Sequence, residues 1–319
     1  MPRWWSVVAG AVALALPAIV QRGEPGASQT EQTVRISGAF ALYPLTVRWA
    51  EEFRREGFKA RFDITGGGAG KGITDALAGL VDIGMVSREP HPDELRKGAV
   101  FIPVAKDAVV AVVNARNPVR TLLLRKGVSR EILRDIWVTQ RIKTWGQVVG
   151  TKDNSPIHAY TRADAAGAAE TWAQFLLGKT GKQEDLKGIA VSGDPGLADA
   201  VRRDPLGIGY NNINYAYNPR TGKPFGGLLV VPLDLNGDGK VGKAENFYAT
   251  RQALLNAIAD GRYPSPPART LYFVTKGKPH GVVAEFIRWA LTKGQRFASD
   301  AGYVPLSRAA VTVALRQLR

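Results

Sequence analysis

The sequence predicts a two-lobed α/β protein, and three observations lead to that prediction. The chain has 319 residues, of which 45% are hydrophobic, enough to bury a sizeable core in two lobes. From Val34 onward, short apolar runs alternate with amphipathic segments, as strands alternate with helices in α/β proteins. A proline-rich linker, PSPPAR at residues 264–269, then precedes one more strand and helix. We therefore expect the chain to leave its first lobe, build a second one and return.

The first lobe begins with a regular succession of strands and helices. VRISG and ARFDI are predicted strands, because apolar and polar residues alternate in them. YPLTVRWAEEFRREG is a predicted helix, since Leu45, Trp49 and Phe53 fall on one face. GITDALAGL and PDELRKG predict two more helices, the second with proline in its first turn. VDIGMVS predicts a strand, and FIPVAKDAVVAVVN predicts one strand or two.

The remaining elements complete the two lobes, each expected to be a mixed sheet flanked by helices. SREILRDIW, AAETWAQFLLG and ENFYATRQALLNAIADG are predicted helices, and HAYTR and GLLVVPLD are predicted strands. After the linker, LYFVTKG predicts a strand and HGVVAEFIRWALTKGQRFASDAG a long helix. The order predicts one lobe of residues 34–115 plus 269–319 and another of residues 116–268. The strands AVVAVVN and TLYFVTK would form a hinge, with a ligand cleft between the lobes.

The N-terminal residues 1–33 have the layout of an export signal. One Arg precedes an apolar run from Trp4 to Val20, and a polar stretch with Gly, Pro and Ser follows. The small-residue cleavage site is ambiguous, and the apolar run is just long enough to span a bilayer. The segment is therefore either a cleaved signal peptide or an uncleaved anchor. In both cases we expect the remainder to be extracytoplasmic, either periplasmic or at the cell surface.

The composition excludes several classes of function. The formal net charge of +15 should attract anions. Lys and Arg are scattered, and no nucleic-acid-binding motif occurs, so we do not expect a nucleic-acid partner. The absence of cysteine excludes disulfides, thiolate metal sites and cysteine nucleophiles. No nucleophile elbow or zinc-protease helix is present, so we expect a binding protein rather than an enzyme. We also expect it to be a monomer.

The glycine-rich segment TGGGAGKGI, residues 65–73, lies between a predicted strand and a predicted helix. It fails the P-loop pattern, because Thr65 stands where glycine is required and Gly72 where Ser or Thr is required. It also fails the dinucleotide pattern. Two interpretations remain: a tight strand–helix turn, or a nest of backbone N–H groups that binds an anion at a helix N-terminus.

Other segments share this strand–loop–helix form and favour the anion interpretation. They are ISGAFALYPL and YTRADAAGAAETW, in the second of which Arg162 closes a strand. DIGMVSRE also places Ser87 and Arg88 at the end of a strand. Three helix N-termini and two arginines facing one cleft would bind a desolvated tetrahedral oxyanion.

The order of these segments resembles the phosphate-binding subunit of bacterial phosphate ABC importers, the PstS family. The segments that carry the resemblance are GAFALYP, GGGAGKGI, VDIGMVSR and RADAAGA, and it extends over nearly all of residues 34–308. The resemblance implies a two-lobed periplasmic-binding-protein-like fold of type II. It also implies capture of phosphate, or a related oxyanion, and delivery to an ABC permease in the membrane.

The chain departs from that family at the hydroxyl groups. Positions where the family presents Ser or Thr to phosphate here carry Ala39, Ala41, Ala69, Ala166 and Ala168. The resemblance implies that Ser87, Arg88 and Arg162 would contact the oxyanion, with Asp164 orienting Arg162. Backbone donors would come from Leu42, Ala69, Gly70, Gly167 and Ala168. Two functions stay open: oxyanion capture with these donors, or a fold that has lost phosphate binding and serves as a structural or partner-binding subunit of a membrane-associated complex.

A second motif predicts a metal site. DLNGDGKVGKAE, residues 234–245, matches the twelve-residue calcium-loop pattern at every fixed position. The predicted calcium ligands are Asp234, Asn236, Asp238, Lys240 through its carbonyl, Gly242 through water, and Glu245. Because a strand precedes the loop, we expect a structural Ca²⁺ that fastens the strand to a helix at residues 246–260. The alternative is an ordinary surface turn.

Overall fold

The computed structural model describes residues 32–318, so most of the predicted N-terminal segment 1–33 lies outside the described residues. In the described part, the strands are β1 (Gln32–Gly38), β2 (Ala60–Gly66), β3 (Ile83–Val86), β4 (Ala99–Asn114), β5 (His158–Arg162), β6 (Ile189–Val191), β7 (Gly207–Asn212), β8 (Leu228–Val230) and β9 (Ala268–Lys276). The α-helices are α1 (Tyr43–Arg55), α2 (Ala69–Ala78), α3 (Pro92–Arg96), α4 (Arg120–Lys126), α5 (Arg130–Trp137), α6 (Trp145–Val149), α7 (Gly167–Leu177), α8 (Gly193–Arg203), α9 (Ile213–Ala216), α10 (Arg251–Ala259), α11 (Gly281–Leu291) and α12 (Arg308–Arg316).

Strand β4 joins the two halves of the sheet. Neighbouring strands follow the order β2-β1-β3-β9-β4-β7-β5-β6, with β8 also beside β4. The first part of β4 pairs antiparallel with β9, and its second part pairs antiparallel with β7 and β8. β1 is parallel to β2 and β3, and β5 is parallel to β6 and β7. Each half is therefore a mixed sheet, and the predicted α/β class is confirmed.

Each half of the sheet packs against its own hydrophobic core. One core takes its residues from segments 34–105 and 271–318, and the other from segment 108–268 with Val304 added. The change of core occurs inside β4, close to Ala108, whereas the sequence prediction placed the lobe boundary at residue 115. β4 carries its two charged residues, Lys106 and Asp107, directly before this crossing point, and apolar residues lie on both sides of them.

Amphipathic patterns account for how the helices pack. Leu45, Trp49 and Phe53 of α1 are fully buried, as their spacing on one helix face requires. α5 begins after Ser129, whose hydroxyl accepts the Ile132 N–H. No helix among residues 32–318 has the combined length and apolarity needed to cross a bilayer.

Two predicted helices are shorter than their patterns indicated. The helix predicted at residues 246–260 begins only at Arg251, because Thr250 caps it by accepting the Ala253 N–H. The long C-terminal helix ends at Leu291, and a 3₁₀ turn follows in which the Gly294 carbonyl accepts the indole N–H of Trp49 at 2.8 Å. Hydrogen bonds to capping and distant side chains, which periodicity does not report, therefore set these helix ends.

Candidate functional site

Four helices begin around one small internal cavity. α1, α2, α7 and α8 each follow a strand, and each pair of strands that precedes them, β1 with β2 and β5 with β6, is parallel. Parallel strands bring the helix N-termini that follow them to the same edge of a sheet. The space between them measures about 150 Å³, part of which is open solvent, and it is too narrow to admit a water molecule. Its lining residues are Ala39, Phe40, Ala41, Gly68, Ala69, Ser87, Arg162, Ala166, Gly167, Ala168, Asp194 and Asn212.

Arg162 lies in this cavity between two carboxylates. Its Nε and Nη2 donate to the two oxygens of Asp164 at 2.9 and 2.6 Å. Its Nη1 donates to Asp194 Oδ2 at 2.6 Å. The guanidinium is nearly fully buried, and three of its five N–H groups are engaged, so its orientation is fixed. Asp164 thus contacts Arg162, while its role in orienting Arg162 toward an oxyanion stays a prediction. Asp194 is a partner that the sequence analysis did not identify.

The charges around Arg162 shift two pKa values. Burial acts to lower the pKa of Arg162, but the charges of Asp194 and Asp164 outweigh burial and raise it above its ordinary value. Burial acts to raise the pKa of Asp164, but Arg162 and the Gly193 N–H outweigh it, so the pKa lies below the usual range. Both groups are therefore ionised at neutral pH.

Several hydrogen-bond donors that face the cavity have no acceptor among the described residues. The backbone N–H groups of Ala69, Gly167 and Ala168 lie in the first turns of α2 and α7, where no intrahelical acceptor exists. The Ser87 hydroxyl is also without a partner within residues 32–318, although Ser87 is only 2% exposed. Together with Arg162, these groups form a donor set of the kind that an anion requires.

Two other predicted backbone donors are already engaged. The Gly70 N–H donates to the Ala165 carbonyl at 3.0 Å, and the Leu42 N–H donates to the Ala39 carbonyl at 3.1 Å. Neither Leu42 nor Gly70 is part of the cavity lining. The Gly70–Ala165 bond joins residues of opposite lobes. The Gly70 N–H, which the nest interpretation assigned to the anion, is therefore bonded to the protein instead.

Arg88 does not reach the cavity. Its guanidinium pairs with Glu94 in its own lobe, with 3.0 Å between Nη1 and Oε2, and with Glu170 of α7 in the other lobe, with 3.2 Å between Nε and Oε2. His91 Nε2 lies 3.0 Å from the other oxygen of Glu170. The residue predicted to contact the oxyanion thus forms an ion pair between the lobes, because Glu94 three residues into α3 and Glu170 both compete for it.

The alanines at the expected hydroxyl positions all face the cavity. They give it an apolar wall opposite Arg162. Phe40, which the sequence did not single out, adds to that wall, since its ring centroid lies 6.0 Å from the Arg162 guanidinium carbon. Asp194 and Asn212 were also missed. The segment VSGDPGL around Asp194 has the same strand–small-residue–helix form as the other loops, and that signal could have identified it.

Contact between the lobes at the cavity depends on glycine. A Cβ added to Gly167 would lie 2.4 Å from Ser87 Oγ and 2.6 Å from the Ser87 carbonyl oxygen. Gly70 is similar, because its added Cβ would lie 2.6 Å from the Ala165 methyl carbon. The glycines therefore let the loops of the two lobes touch, in addition to exposing backbone N–H groups.

The chain is similar to known proteins. Residues 23–293 match the family described as the PBP superfamily domain. The chain belongs to this family. It is 28% identical over 301 residues to the protein SphX of Synechococcus elongatus, with 92% of this chain and 83% of that protein covered. It is 26% identical over 289 residues to the phosphate-binding protein PstS of Bacillus subtilis, with 90% and 85% covered.

A solved structure supports the same assignment of the fold. The phosphate ABC transporter substrate-binding protein of Clostridium perfringens superposes with a TM-score of 0.68 at 21% identity, covering 86% of this chain and all of that one. The predicted two-lobed fold of the periplasmic-binding-protein type and the resemblance to the PstS family are both confirmed.

The predicted calcium loop of this PBP-superfamily chain folds into a compact turn. Asp234 accepts the N–H groups of Gly237 and Gly239 at 2.8 and 3.0 Å. Glu245 accepts those of Leu235 at 2.7 Å and Gly242 at 3.0 Å. Within residues 32–318, no three His, Asp or Glu side chains are grouped as a metal site. The oxygen ligands suit a hard cation in type, and calcium at Asp234, Asn236, Asp238, Lys240, Gly242 and Glu245 stays a prediction.

Proposed function

We propose that this chain captures phosphate, or a closely related tetrahedral oxyanion, in the cavity between its lobes and delivers it to an ABC importer. One observation carries the proposal: Arg162, the Ser87 hydroxyl and three backbone N–H groups that have no acceptor within residues 32–318 surround a single small cavity. Its relative from Bacillus subtilis is named as a phosphate-binding protein. The chain thus acts as a solute-binding protein and not as an enzyme.

The mechanism is closure of the two lobes on the anion. Lobe 1, built on the core of segments 34–105 and 271–318, supplies Ala69 and Ser87. Lobe 2, built on the core of segment 108–268, supplies Arg162, Gly167 and Ala168. In the closed arrangement the cavity is nearly filled by its own walls, so the lobes separate to admit a ligand. The helix N-termini provide partial positive charge, and burial strengthens each hydrogen bond to the anion.

Asp194 influences which anion is accepted. Arg162 carries one positive charge, whereas Asp164 and Asp194 carry two negative ones. An oxyanion that keeps a proton donates a hydrogen bond to a carboxylate, whereas a fully deprotonated one is repelled by it. This charge balance favours protonated phosphate over sulfate.

Isothermal titration with phosphate, arsenate and sulfate tests the proposal. We expect phosphate to bind and Arg162→Ala to weaken binding by about tenfold or more, since a hydrogen bond to a charged group contributes about 1.5–3 kcal/mol. Arg203→Ala, on the exposed end of α8, is the matched control and should bind as the unaltered chain does. Absence of binding at millimolar phosphate would instead support the alternative, a partner-binding subunit that has lost the ligand, which the alanine-lined wall favours.

The cellular setting follows from the same proposal. The chain works outside the cytoplasm, as a monomer that meets an ABC permease in the membrane, and residues 1–33 serve as its export signal or tether. Mass spectrometry of the mature N-terminus distinguishes the two roles. Loss of residues 1–33 indicates a signal peptide, whereas their retention in a membrane fraction indicates an anchor.

We also propose that the 234–245 loop binds a structural Ca²⁺. The register of its oxygen ligands supports this, and binding would require Glu245 to exchange its backbone N–H partners for the ion. The ion would fasten β8 to the segment that leads into α10. Extracytoplasmic calcium would keep such a site filled.

Thermal unfolding with and without metal tests the calcium proposal. We expect EDTA to lower the melting temperature and added Ca²⁺ to restore it, because an ion that binds only the folded chain stabilises it. Asp234→Ala should abolish the shift, and Asp63→Ala, an exposed carboxylate in the other lobe, should preserve it. A melting temperature insensitive to EDTA and Ca²⁺ would refute the site.

A further inference from the structure

A line of buried polar side chains begins at the strands that connect the lobes. Asp107 of β4 and Arg269 of β9 lie directly opposite each other in the antiparallel ladder. Arg269 Nε donates to Asp107 Oδ1 at 2.9 Å, and Nη2 lies 3.2 Å from Oδ2. Both residues are less than 10% exposed, so this cross-strand pair is shielded from water.

Arg269 also reaches two elements of the second lobe. Its Nη1 donates to Thr171 Oγ1 at 3.2 Å, within α7, the helix whose first residues line the cavity. Its Nη2 donates to Asn212 Oδ1 at the end of β7. One guanidinium therefore holds the connecting strands, the anion-facing helix and Asn212 together.

Asn212 continues the line to the cavity. Its Nδ2 donates to Asp194 Oδ1 at 2.6 Å, and Asp194 Oδ2 accepts from Arg162 Nη1 at 2.6 Å. The Arg269 guanidinium can only donate, so the Asn212 carbonyl oxygen faces Arg269 and its NH₂ group faces the Asp194 carboxylate. Asn212, Asp194 and Arg162 are 2%, 1% and 4% exposed, and in such surroundings hydrogen bonds strongly constrain orientation.

We propose that Asn212 is a positioning residue that links the Asp107–Arg269 pair of the connecting strands to Asp194, and thereby sets the orientation of Arg162 toward the oxyanion. The proposal rests on the proposed function for its ligand. Asparagine suits the task because one amide accepts from Arg269 and donates to Asp194 at the same time. Aspartate would add a carboxylate beside Asp194. Leucine would remove both side-chain bonds, leaving Asp194 with Arg162 and the backbone N–H of residue 212, and Arg269 with Asp107 and Thr171.

Phosphate titration of Asn212→Leu, alone and combined with Arg162→Lys, tests this link. We expect Asn212→Leu to raise the phosphate Kd by about tenfold, the consequence of losing one hydrogen bond to a charged group. Lysine at position 162 lacks the planar fork by which Arg162 bonds to Asp164 at two points and to Asp194 at a third, so Asp194 no longer sets a fixed orientation for its charge. In the Arg162→Lys background, Asn212→Leu should therefore change the phosphate Kd by less than about twofold. An equal effect in both backgrounds would show that Asn212 acts directly or only through the fold, and would overturn the proposal.

Asn114→Leu is the matched control. Asn114 is a buried asparagine at the end of β4 that donates to the carbonyls of Val201 and Arg202 at 2.9 and 2.7 Å. Within residues 32–318 it forms no hydrogen bond with the polar side chains that run from Asp107 to Arg162. Its loss should lower the melting temperature and leave Kd within about twofold of the unaltered chain. A comparable loss of affinity in Asn114→Leu would identify the Asn212 effect as general destabilisation.

A measurement without ligand separates this inference from the proposed function. Side-chain Nε–H resonances of buried arginines are observable by NMR, and Arg162 is assigned by its disappearance in Arg162→Lys. We expect this resonance to shift in Asn212→Leu and to stay in place in Asn114→Leu. If the unaltered chain binds no oxyanion, the proposed function fails, while an unshifted Arg162 resonance in Asn212→Leu would by itself refute the positioning role.

Discussion

At the scale of single residues, the site combines a retained arginine with lost hydroxyls. Arg162 keeps two carboxylate partners that fix its guanidinium, and the Ser87 hydroxyl remains free in the described structure. Alanine replaces the other hydroxyls and donates nothing. In the proposed oxyanion site, affinity would therefore come from Arg162, Ser87 and backbone N–H groups.

Asp164 gives a pH-dependent prediction at this scale. Its folded pKa is lowered, so the ionised carboxylate stabilises the fold above the unfolded pKa of about 3.9, and this contribution is lost as pH falls through the folded value. Asp164→Asn should therefore lose about 1.5–3 kcal/mol of unfolding free energy at pH 7. The difference from the unaltered chain should shrink below about pH 4. Urea denaturation across pH measures it, and a difference independent of pH would contradict the assignment.

At the scale of elements, helix N-termini and the loops that precede them build the site. α2 and α7 present first-turn N–H groups without acceptors, and their loops also contact each other through Gly70 and Ala165. Gly70 and Gly167 allow this contact, because an added Cβ would overlap Ala165 or Ser87. In the proposed function, the same loops would also expose backbone N–H groups to the anion.

Gly167→Ala at the first residue of α7 tests the contact role. Its methyl group would overlap Ser87 Oγ, so the lobes should close incompletely and the phosphate Kd should rise by about tenfold or more. Gly196→Ala in α8 is the control, because its added Cβ meets nothing within 4 Å. That control should keep its affinity and gain about 0.5–1 kcal/mol of stability. Titration calorimetry and urea unfolding give the two values; unchanged affinity in Gly167→Ala would argue against closure at Ser87.

At the scale of the whole molecule, polar contacts between the lobes hold the closed form. Arg88 and His91 of lobe 1 meet Glu170 of lobe 2 beside the cavity, and the Tyr215 hydroxyl donates to the Phe40 carbonyl at 3.2 Å on the other side. Arg88, His91, Glu170 and Tyr215 themselves lie outside the cavity lining. They should therefore govern how long the lobes stay closed rather than how the anion is recognised.

Glu170→Gln tests this role. Removing the charge between Arg88 and His91 should raise the phosphate dissociation rate by about tenfold and leave the association rate nearly unchanged, as expected for a buried pair that forms on closure. Glu184→Gln, an exposed carboxylate of the same cleft, should alter neither rate. Stopped-flow fluorescence of the buried tryptophans would measure both rates. A change confined to association would assign Glu170 to ligand attraction instead.

Local patterns in the sequence determined much of this architecture. Hydrophobic periodicity predicted β1, α1, β2 and α2 in order, because each buries one face. The strand–loop–helix form of the loops predicted where an anion would lie, because a helix N-terminus leaves its N–H groups without acceptors in any fold. The two-lobed organisation followed from the order of elements, and the comparisons confirm it.

Only the tertiary structure decided which side chains meet across the lobes. Arg88 follows β3, where a ligand-binding residue is expected, yet its guanidinium forms an ion pair with Glu170, which is distant in sequence. Asp194 and Asn212 carry no local signal for a bond to Arg162 or Arg269, because those bonds join residues distant in sequence. Periodicity reports which face of an element is buried, whereas partners depend on three-dimensional packing. For this reason the sequence alone determined the elements and the kind of site, and the fold decided how Arg162 is held within it.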